Sequence, residues 1–379
     1  MALVLTEEQQ LLRDTATQFF QERAPIANLR KLRDTKDATG FDRGLWKEMA
    51  DLGFAGIMIS EKYGGTDFGP VGLGLVLEQA GRTLAASPLV STVLLCGSAV
   101  QLAGNATQRQ DILSAIAAGD RVMALALEEG PHHNPARIAT RAAADGKDFR
   151  ISGRKTFVLD GHVADQLIVA ARTAGNENDR AGITLFLVDP KSEGVKVTRT
   201  LMVDSRNAAE IAFDNVAVPA TAVLGSVDGG IDVLEQVLDI ARIGLSAEML
   251  GLVQEVFDTT LAYLKERKQF GKVIGSFQAL QHRMAVLFAE IELSRSVVLD
   301  ALSALEARRN DVPLIASLAK ARLSDIATLM TNEGLQMHGG MGMTDQFDIG
   351  LFMKRARVAA ATFGDGNFHR DRYALLEGF

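Results

Sequence analysis

The spacing of hydrophobic residues changes twice along the chain and divides it into three parts. In residues 1–120, apolar side chains recur every three or four positions, which is typical of amphipathic helices. The first stripe lies in residues 6–25, where Thr6 and Gln9 have the spacing of a helix-capping box. The pattern therefore predicts an N-terminal helical domain over residues 1–120.

Short apolar runs separated by turn residues replace the helical spacing in residues 121–228. Many short strands at such spacing are typical of a small all-β domain. The predicted strands cover residues 122–127, 137–144, 149–152, 155–159, 166–171, 183–188, 195–200 and 210–213. We interpret this segment as a central β-barrel domain.

Helical spacing returns after Gly229 and Gly230 and continues to the end of the chain. Candidate helices cover residues 231–268, 277–307, 312–338, 346–361 and 367–376. Long helices joined by short loops favour an antiparallel bundle. Residues 229–379 are therefore expected to form a C-terminal four-helix bundle, and the fold class is a mostly helical α+β protein.

Composition narrows the class of protein and its compartment. The net charge of −7 over 379 residues disfavours a general nucleic-acid binder. Cys96 is the only cysteine, so no intrachain disulfide can form. No apolar run reaches the ~18 residues of a membrane helix, and Glu7 and Glu8 stand where a signal peptide would be basic. We expect a cytoplasmic protein that binds neither nucleic acid nor a membrane.

The segment around residues 263–281 combines a helix break with side chains suited to a nucleotide. Gly271 interrupts the helical pattern and places Arg267, Phe270 and Gln278 around one bend. Arginine pairs with phosphate oxygens, and an aromatic ring and an amide contact flat groups. A solvated basic face between two helices is an equally good interpretation of these residues alone.

Two motifs give the chain a family resemblance. The string Arg-x-x-Phe-Gly at residues 267–271, followed by Phe277 and Gln278, closely resembles a signature of the acyl-CoA dehydrogenases. The string Gln-Met-His-Gly-Gly-Met-Gly at residues 336–342 resembles their second signature, and the opening at residues 5–9 is also similar. The resemblance covers almost the whole chain and implies a helical domain, a β-barrel and a helical bundle, in that order.

The resemblance also implies a cofactor, flavin adenine dinucleotide (FAD), held between subunits. Arg267 and Phe270 are then expected to contact the cofactor of a neighbouring subunit, with Gln278 nearby. Gln336, Gly339 and Gly340 are expected to bring bare backbone close to its diphosphate, since glycine lacks a Cβ. Gly339 and Gly340 could also cap the preceding helix, and the two roles can hold together. The expected cofactor set is completed by Leu127, Phe157 and Asn367. No metal site is expected.

Substrate contacts and a catalytic base follow from the same resemblance. Asp239 and Arg242 match an Asp-x-x-Arg that contacts the acyl-CoA thioester in the family, although a surface ion pair is the simpler explanation. Asp365 stands where most members have their catalytic glutamate, whereas Ala241 stands where a minority have theirs. An N-cap of the last helix is the other interpretation of Asp365.

The β-domain departs from the family pattern around the flavin ring. The family usually has Thr-Glu-Pro after the first strand, where this chain has Glu-Glu-Gly at residues 128–130. A Trp and a Ser or Thr are replaced by Phe157 and Leu159, and Leu159 has no hydroxyl to donate. His132 and His133 have no evident third ligand and are interpreted as loop residues.

The leading functional hypothesis is an FAD-dependent acyl-CoA dehydrogenase that forms a trans-2-enoyl-CoA and passes electrons to an electron-transfer flavoprotein. A homotetramer or an α2β2 heterotetramer is expected. One alternative is a half-catalytic subunit, because the chain resembles the small subunit of pimeloyl-CoA-type pairs. A second is an oxidase similar to nitroalkane oxidase, which uses an aspartate base. A binding module without redox chemistry is the third.

Overall fold

The computed structural model describes residues 4–379 and divides into two compact units. We name the first the helical unit; among the described residues it comprises 4–31, 70–85 and 242–379. We name the second the sheet unit; it comprises residues 32–69 and 86–241. The expected division into three domains stays a prediction.

Six α-helices precede the sheet in residues 4–379, in the region that the hydrophobic spacing predicts to be helical. They are α1 (Glu7–Arg23), α2 (Ile26–Asp34), α3 (Arg43–Asp51), α4 (Gly69–Arg82), α5 (Ser98–Ala103) and α6 (Ala106–Ala117). A π-helical segment, Leu89–Gly97, leads into α5. The capping box of α1 is confirmed, because Gln9 N donates to Thr6 Oγ1 at 3.2 Å and Thr6 N donates to Gln9 Oε1 at 3.0 Å.

The sheet unit is built on one mixed eight-stranded sheet. Its strands are β1 (Met123–Ala126), β2 (Arg141–Asp145), β3 (Asp148–Leu159), β4 (Gln166–Arg172), β5 (Ile183–Val188), β6 (Val195–Leu201), β7 (Asn207–Val218) and β8 (Val223–Leu224). They are ordered β6-β7-β3-β2-β4-β5-β8, and β1 pairs with β4 in parallel. Buried side chains such as Ile151, Val169 and Phe186 form the core against the sheet.

The β-barrel prediction is wrong, because this sheet is not closed. In the part of the chain that the structure describes, the end strands β6 and β8 each pair with one neighbour, β7 and β5. Alternation of apolar and polar residues determines which face of a strand is buried, but not whether the first and last strands of a sheet meet. The two predicted strands at residues 149–152 and 155–159 are also one strand, β3, with an irregularity in its pairing to β7.

The C-terminal helical domain is confirmed. It contains α7 (Gly230–Glu266), α8 (Gln278–Glu306), α9 (Val312–His338), α10 (Ile349–Ala361) and α11 (Gly366–Glu377), with a small hairpin of β9 (Lys268–Gln269) and β10 (Lys272–Val273) between α7 and α8. Helix α9 packs against α8, α10 and α11. Its buried face is rich in alanine and serine, which allows neighbouring helices to approach closely.

No helix formed by residues 4–379 combines the length and the apolar character needed to span a membrane.

Candidate active site

The bend after α7 carries an arginine and a phenylalanine whose side chains are exposed to solvent. Helix α7 ends at Glu266, and the β9–β10 hairpin turns at Phe270 and Gly271, both with positive φ, at 53° and 75°. Arg267 is exposed, and the ring of Phe270 is 89% exposed. Gln278, also exposed, begins α8. The predicted break between two helices is confirmed, whereas the cofactor role of these side chains stays a prediction.

The second motif forms the end of α9. Gly339 is the C-cap, with φ of 60°, and its N–H donates to the carbonyl of Gln336. The expected helix cap is therefore present. Gln336, Gly339 and Gly340 are exposed, and a Cβ built on either glycine would meet no atom within 4 Å. The backbone at these two glycines is therefore open to solvent.

The two motifs are neighbours inside the helical unit. The ring of Tyr263, near the end of α7, stacks on the imidazole of His338 with 4.3 Å between centroids, and Phe347 meets both rings edge-on. His338 Nδ1 lies 2.8 Å from the Gly334 carbonyl, so Nδ1 must be the donor. Burial lowers the pKa of His338. The end of α7 that leads to Arg267 thus adjoins the end of α9 that leads to Gly339 and Gly340.

Asp365 lies at the start of α11 on a turn with unusual backbone geometry. Its carboxylate is exposed, and Oδ1 accepts a hydrogen bond from Phe368 N at 2.8 Å, so it is the N-cap of α11. The two residues before it, Phe363 and Gly364, have φ of 60° and 102°. The capping interpretation is therefore correct, and it leaves Oδ2 for a second role. Asn367 is exposed and accepts a bond from Arg370 at 3.3 Å.

Arg242 connects α7 to the Asp365 turn. Its side chain is only 2% exposed, and Nε donates to the Phe363 carbonyl at 3.2 Å. Its guanidinium carbon lies 5.6 Å from the centroid of the Phe368 ring. Asp239, on the same helix, is 3% exposed. The alternative of a surface ion pair is excluded by this burial, whereas binding of substrate stays a prediction.

In the sheet unit, Leu127 and Phe157 lie on adjacent segments. Leu127 directly follows β1, and its carbonyl accepts a hydrogen bond from Lys155 Nζ at 3.0 Å. Thr156 N donates to the carbonyl of Glu128 at 2.8 Å. Phe157 has φ of 51° and a ring that is 39% exposed, at the irregularity in β3. These two bonds place Leu127 and Phe157 on neighbouring segments, and their contact with a flavin stays a prediction.

A cavity of about 470 Å³ lies at the loop after β1, where the chain departs from the family pattern. Its lining residues are Glu128, Glu129, Gly130, Pro131, His132, His133, Asn134, Arg137, Ala139 and Glu177. His133 pairs with Glu128, and Glu129 pairs with the fully buried Lys155 at 2.6 Å. Burial lowers the pKa of Lys155 to about 8, while the Glu129 carboxylate opposes this shift.

Two functional candidates were missed at the level of sequence, Lys155 and Lys320. Each is a fully buried lysine, and burial lowers the pKa of Lys320 to about 7. Lys320 lies on the stripe of α9 that otherwise carries small and apolar residues such as Ala316, Leu323 and Ala327. A single cation on such a stripe is the signal that could have found it, because lysine is rarely fully buried without a partner.

Comparison with known proteins finds the same family in all three parts of the chain. Family models described as acyl-CoA dehydrogenase N-terminal, middle and C-terminal domains match residues 6–120, 124–216 and 228–374. The chain is 30% identical over 376 residues to the Bos taurus short/branched chain specific acyl-CoA dehydrogenase, mitochondrial, covering 97% of this chain and 85% of that one.

Two further relatives are similar over nearly their full length. The Acetobacterium woodii caffeyl-CoA reductase-Etf complex subunit CarC is 28% identical over 362 residues, 94% of each chain. The structure of butyryl-CoA dehydrogenase from Megasphaera elsdenii superposes with a TM-score of 0.90 at 26% identity, covering 99% of this chain and 100% of that one.

Proposed function

Because the chain belongs to the acyl-CoA dehydrogenase family of flavin-dependent oxidoreductases, we propose that it converts an acyl-CoA thioester to the trans-2-enoyl-CoA with FAD as its cofactor. The observation that carries the proposal is the position of Asp365. Its carboxylate is exposed at the end of a turn that the buried Arg242 holds. A carboxylate on a fixed turn is suited to removing a proton from a defined carbon atom.

Asp365 would act as the base through its second oxygen. Oδ1 is engaged by the amide of Phe368, whereas Oδ2 is available to accept the proton of the α-carbon. The bound flavin supplies the acceptor for the hydride that leaves the β-carbon. Asp239 and Arg242 are proposed to contact the thioester. Since aspartate is one methylene shorter than glutamate, either the backbone of this turn lies closer to the substrate than in relatives with a glutamate, or the pocket is shaped for a different acyl group.

The residues of the two motifs fit an FAD of a neighbouring subunit. Arg267 offers an exposed guanidinium, which is suited to phosphate oxygens. Gly339 and Gly340 offer open backbone beside it, and Gln336 and Gln278 offer exposed amides. The Phe270 ring is 89% exposed and offers an aromatic face to a covering partner. We therefore infer assembly into a homotetramer or an α2β2 heterotetramer.

In the sheet unit, Leu127 and Phe157 are proposed to face the flavin ring. The Lys155 ammonium holds the Leu127 carbonyl, and the Phe157 ring is 39% exposed. Asn367, beside the Asp365 turn, completes the proposed cofactor set. The electron acceptor is proposed to be an electron-transfer flavoprotein, and the similarity to a subunit of a reductase-Etf complex supports that type of partner.

A half-catalytic subunit is the second candidate, and one departure favours it. Glu128 stands where the family usually has a threonine, and its carboxylate is paired with His133. The loop that meets the flavin in relatives therefore has a different set of contacts here. Flavin stoichiometry of the purified chain separates the two candidates. The leading proposal predicts one flavin per chain. Flavin binding only in the presence of a partner subunit supports the half-catalytic subunit.

The base is tested with Asp365→Asn. Asparagine is as good an N-cap as aspartate, so the helix start is kept while the proton acceptor is lost. We expect normal flavin and thioester binding, with flavin reduction slower by on the order of 100-fold or more. Asp42→Asn, at the N-cap of α3, is the matched control and should reduce at the wild-type rate. A wild-type rate in Asp365→Asn contradicts the proposal, and peroxide formation in air would identify an oxidase.

A further inference from the structure

The turn that carries Asp365 is held in a backbone conformation that a chain does not adopt without support. Phe363 has φ of 60°, a region that bulky residues rarely occupy, and Gly364 follows with φ of 102°. A Cβ at Gly364 would lie 2.4 Å from the Phe368 ring and 2.9 Å from His369 Nε2. The turn is therefore packed tightly against the first turn of α11.

The fully buried Lys320 of α9 donates hydrogen bonds to this turn from the protein interior. Its Nζ donates to the Gly364 carbonyl at 2.9 Å and to the Ala360 carbonyl at 2.9 Å, with Ser324 Oγ at 3.4 Å. These three contacts match the three donors of an ammonium group. Gly364 directly precedes Asp365, so its carbonyl belongs to the peptide group that leads to the Asp365 backbone.

The carbonyl one residue earlier is held from the other side. Phe363 O accepts from Arg242 Nε at 3.2 Å and from His369 Nε2 at 3.0 Å. His369 and Lys320 are both fully buried. Two consecutive carbonyls are thus fixed by three side chains from α7, α9 and α11, and Lys320 is the one that also joins the turn to the end of α10 through Ala360.

We infer that Lys320 is a positioning residue, which sets the location of the Asp365 carboxylate by holding the carbonyls of Gly364 and Ala360. The inference rests on the proposed role of Asp365 as the base. An effect on rate is expected because small displacements of a reacting group cost on the order of 100-fold. Burying an ammonium group without a bonded carboxylate is unfavourable for stability, so fold stability alone does not account for a lysine here.

The surroundings of Lys320 make its charge sensitive to pH. Burial lowers its pKa to about 7, the charges of Arg242 and Arg355 act in the same direction, and Asp365 opposes them. These groups reach Lys320 from α7, α10 and the start of α11. Loss of the proton removes the positive charge and leaves neutral N–H donors, whose bonds to the two carbonyls are weaker, so the hold on the turn weakens as the pH rises through about 7.

The test compares Lys320→Met and Lys320→Arg with wild-type protein and with Thr331→Val. Thr331 is another buried polar residue of α9, bonded only along its own helix, and its variant reports general effects of altering that helix. Four quantities are measured in the assembled protein: flavin content, thioester affinity, the rate of flavin reduction between pH 6 and 9, and hydrogen exchange of the Phe368 amide. This amide donates its hydrogen bond to the Asp365 carboxylate, so its exchange reports whether that bond is intact.

Lys320→Met is expected to keep flavin and thioester affinity but to reduce on the order of 10- to 100-fold more slowly. Its Phe368 amide should exchange faster, and the fall in rate above about pH 7 should disappear. Lys320→Arg should recover part of the rate, and Thr331→Val should match wild type. A flavin-loaded Lys320→Met with the wild-type rate and wild-type pH profile overturns the inference, as does an equal loss in Thr331→Val.

Two further outcomes are decisive. If Lys320→Met does not fold, the wild-type profile decides: a fall near pH 7 that moves to higher pH in Lys320→Arg supports the inference, and its absence overturns it. If Asp365→Asn is slow while Lys320→Met is not, only the role of Lys320 is wrong. If Asp365→Asn reduces at the wild-type rate, the base itself is misassigned and the inference about Lys320 falls with it.

Discussion

The carboxylate of Glu248 and the guanidinium of Arg355 form a bidentate ion pair, with two parallel hydrogen bonds, inside the helical unit. Arg355 Nε lies 2.9 Å from Oε1, and Nη2 lies 3.0 Å from Oε2. Both residues are less than a tenth exposed. The pair joins α7 to α10. Because α10 leads into the Asp365 turn, the pair anchors the helix from which that turn begins.

Removal of one partner of this pair is expected to be strongly destabilising. Arg355→Met leaves the Glu248 charge buried without its partner, which costs about 3–5 kcal/mol of unfolding free energy. The double variant Glu248→Leu with Arg355→Met should lose much less, because no charge then stays buried. Urea denaturation of the three proteins gives the comparison.

An exposed ion pair provides the control for that experiment. Arg137 and Glu177 also lie within hydrogen-bonding distance, but their side chains are 59% and 42% exposed. Arg137→Met should change stability by less than about 1 kcal/mol. Equal effects of Arg355→Met and Arg137→Met would show that burial of the Glu248 pair is not what makes it important.

Lys320 should impose a pH dependence on stability. Its pKa is lowered to about 7 in the folded chain by burial, against ~10.4 when unfolded. Between these values the unfolded chain binds one more proton, so this contribution to stability increases with pH, by up to about 1.4 kcal/mol per unit. Lys320→Met lacks the contribution. The stability of wild type relative to Lys320→Met should therefore rise from pH 7 to pH 9, and a constant or falling difference in denaturation midpoints contradicts this.

The Asp365 turn should not tolerate a side chain at Gly364. An alanine there combines a φ of 102° with a Cβ only 2.4 Å from the Phe368 ring. We expect Gly364→Ala to lower stability by about 1–3 kcal/mol and to slow flavin reduction. Gly350→Ala is the control, because Gly350 is helical and its Cβ would meet no atom within 4 Å. That variant should be neutral or stabilised by up to about 1 kcal/mol, and similar losses in both would exclude backbone geometry as the cause.

The helices and the hairpin bend were predictable because their signals are local. The period of apolar residues gave the bounds of α7 to α11 within a few residues, and Gly271 marked the break before α8. Closure of the sheet was mispredicted, since it depends on whether β6 and β8 meet, which no local pattern encodes. Lys320 was missed for the same reason: its partners, the carbonyls of Ala360 and Gly364, are 40 and 44 residues away along the chain.

The exposed arginine of the hairpin gives the sharpest test of the cofactor site. Arg267 is exposed, and within residues 4–379 its hydrogen bonds are backbone bonds to Tyr263 and Ile274, so its guanidinium does not support the fold. Arg267→Ala should therefore leave the thermal stability of the flavin-free protein unchanged. Its flavin should be held more weakly by about 1.5–3 kcal/mol, the range for a hydrogen bond to a charged group, which corresponds to roughly a 10- to 150-fold increase in Kd.

A neighbouring lysine separates a specific phosphate contact from general attraction by positive charge. Lys268 is one residue further along the same hairpin and is also exposed. Lys268→Ala removes the same charge without the arginine fork, so its flavin Kd should change by less than about threefold. Flavin titration of both variants, at low and high salt, gives the measurement. If the two variants lose flavin equally, and salt removes the difference from wild type, the hairpin attracts the cofactor only by its charge and Arg267 does not bind a phosphate.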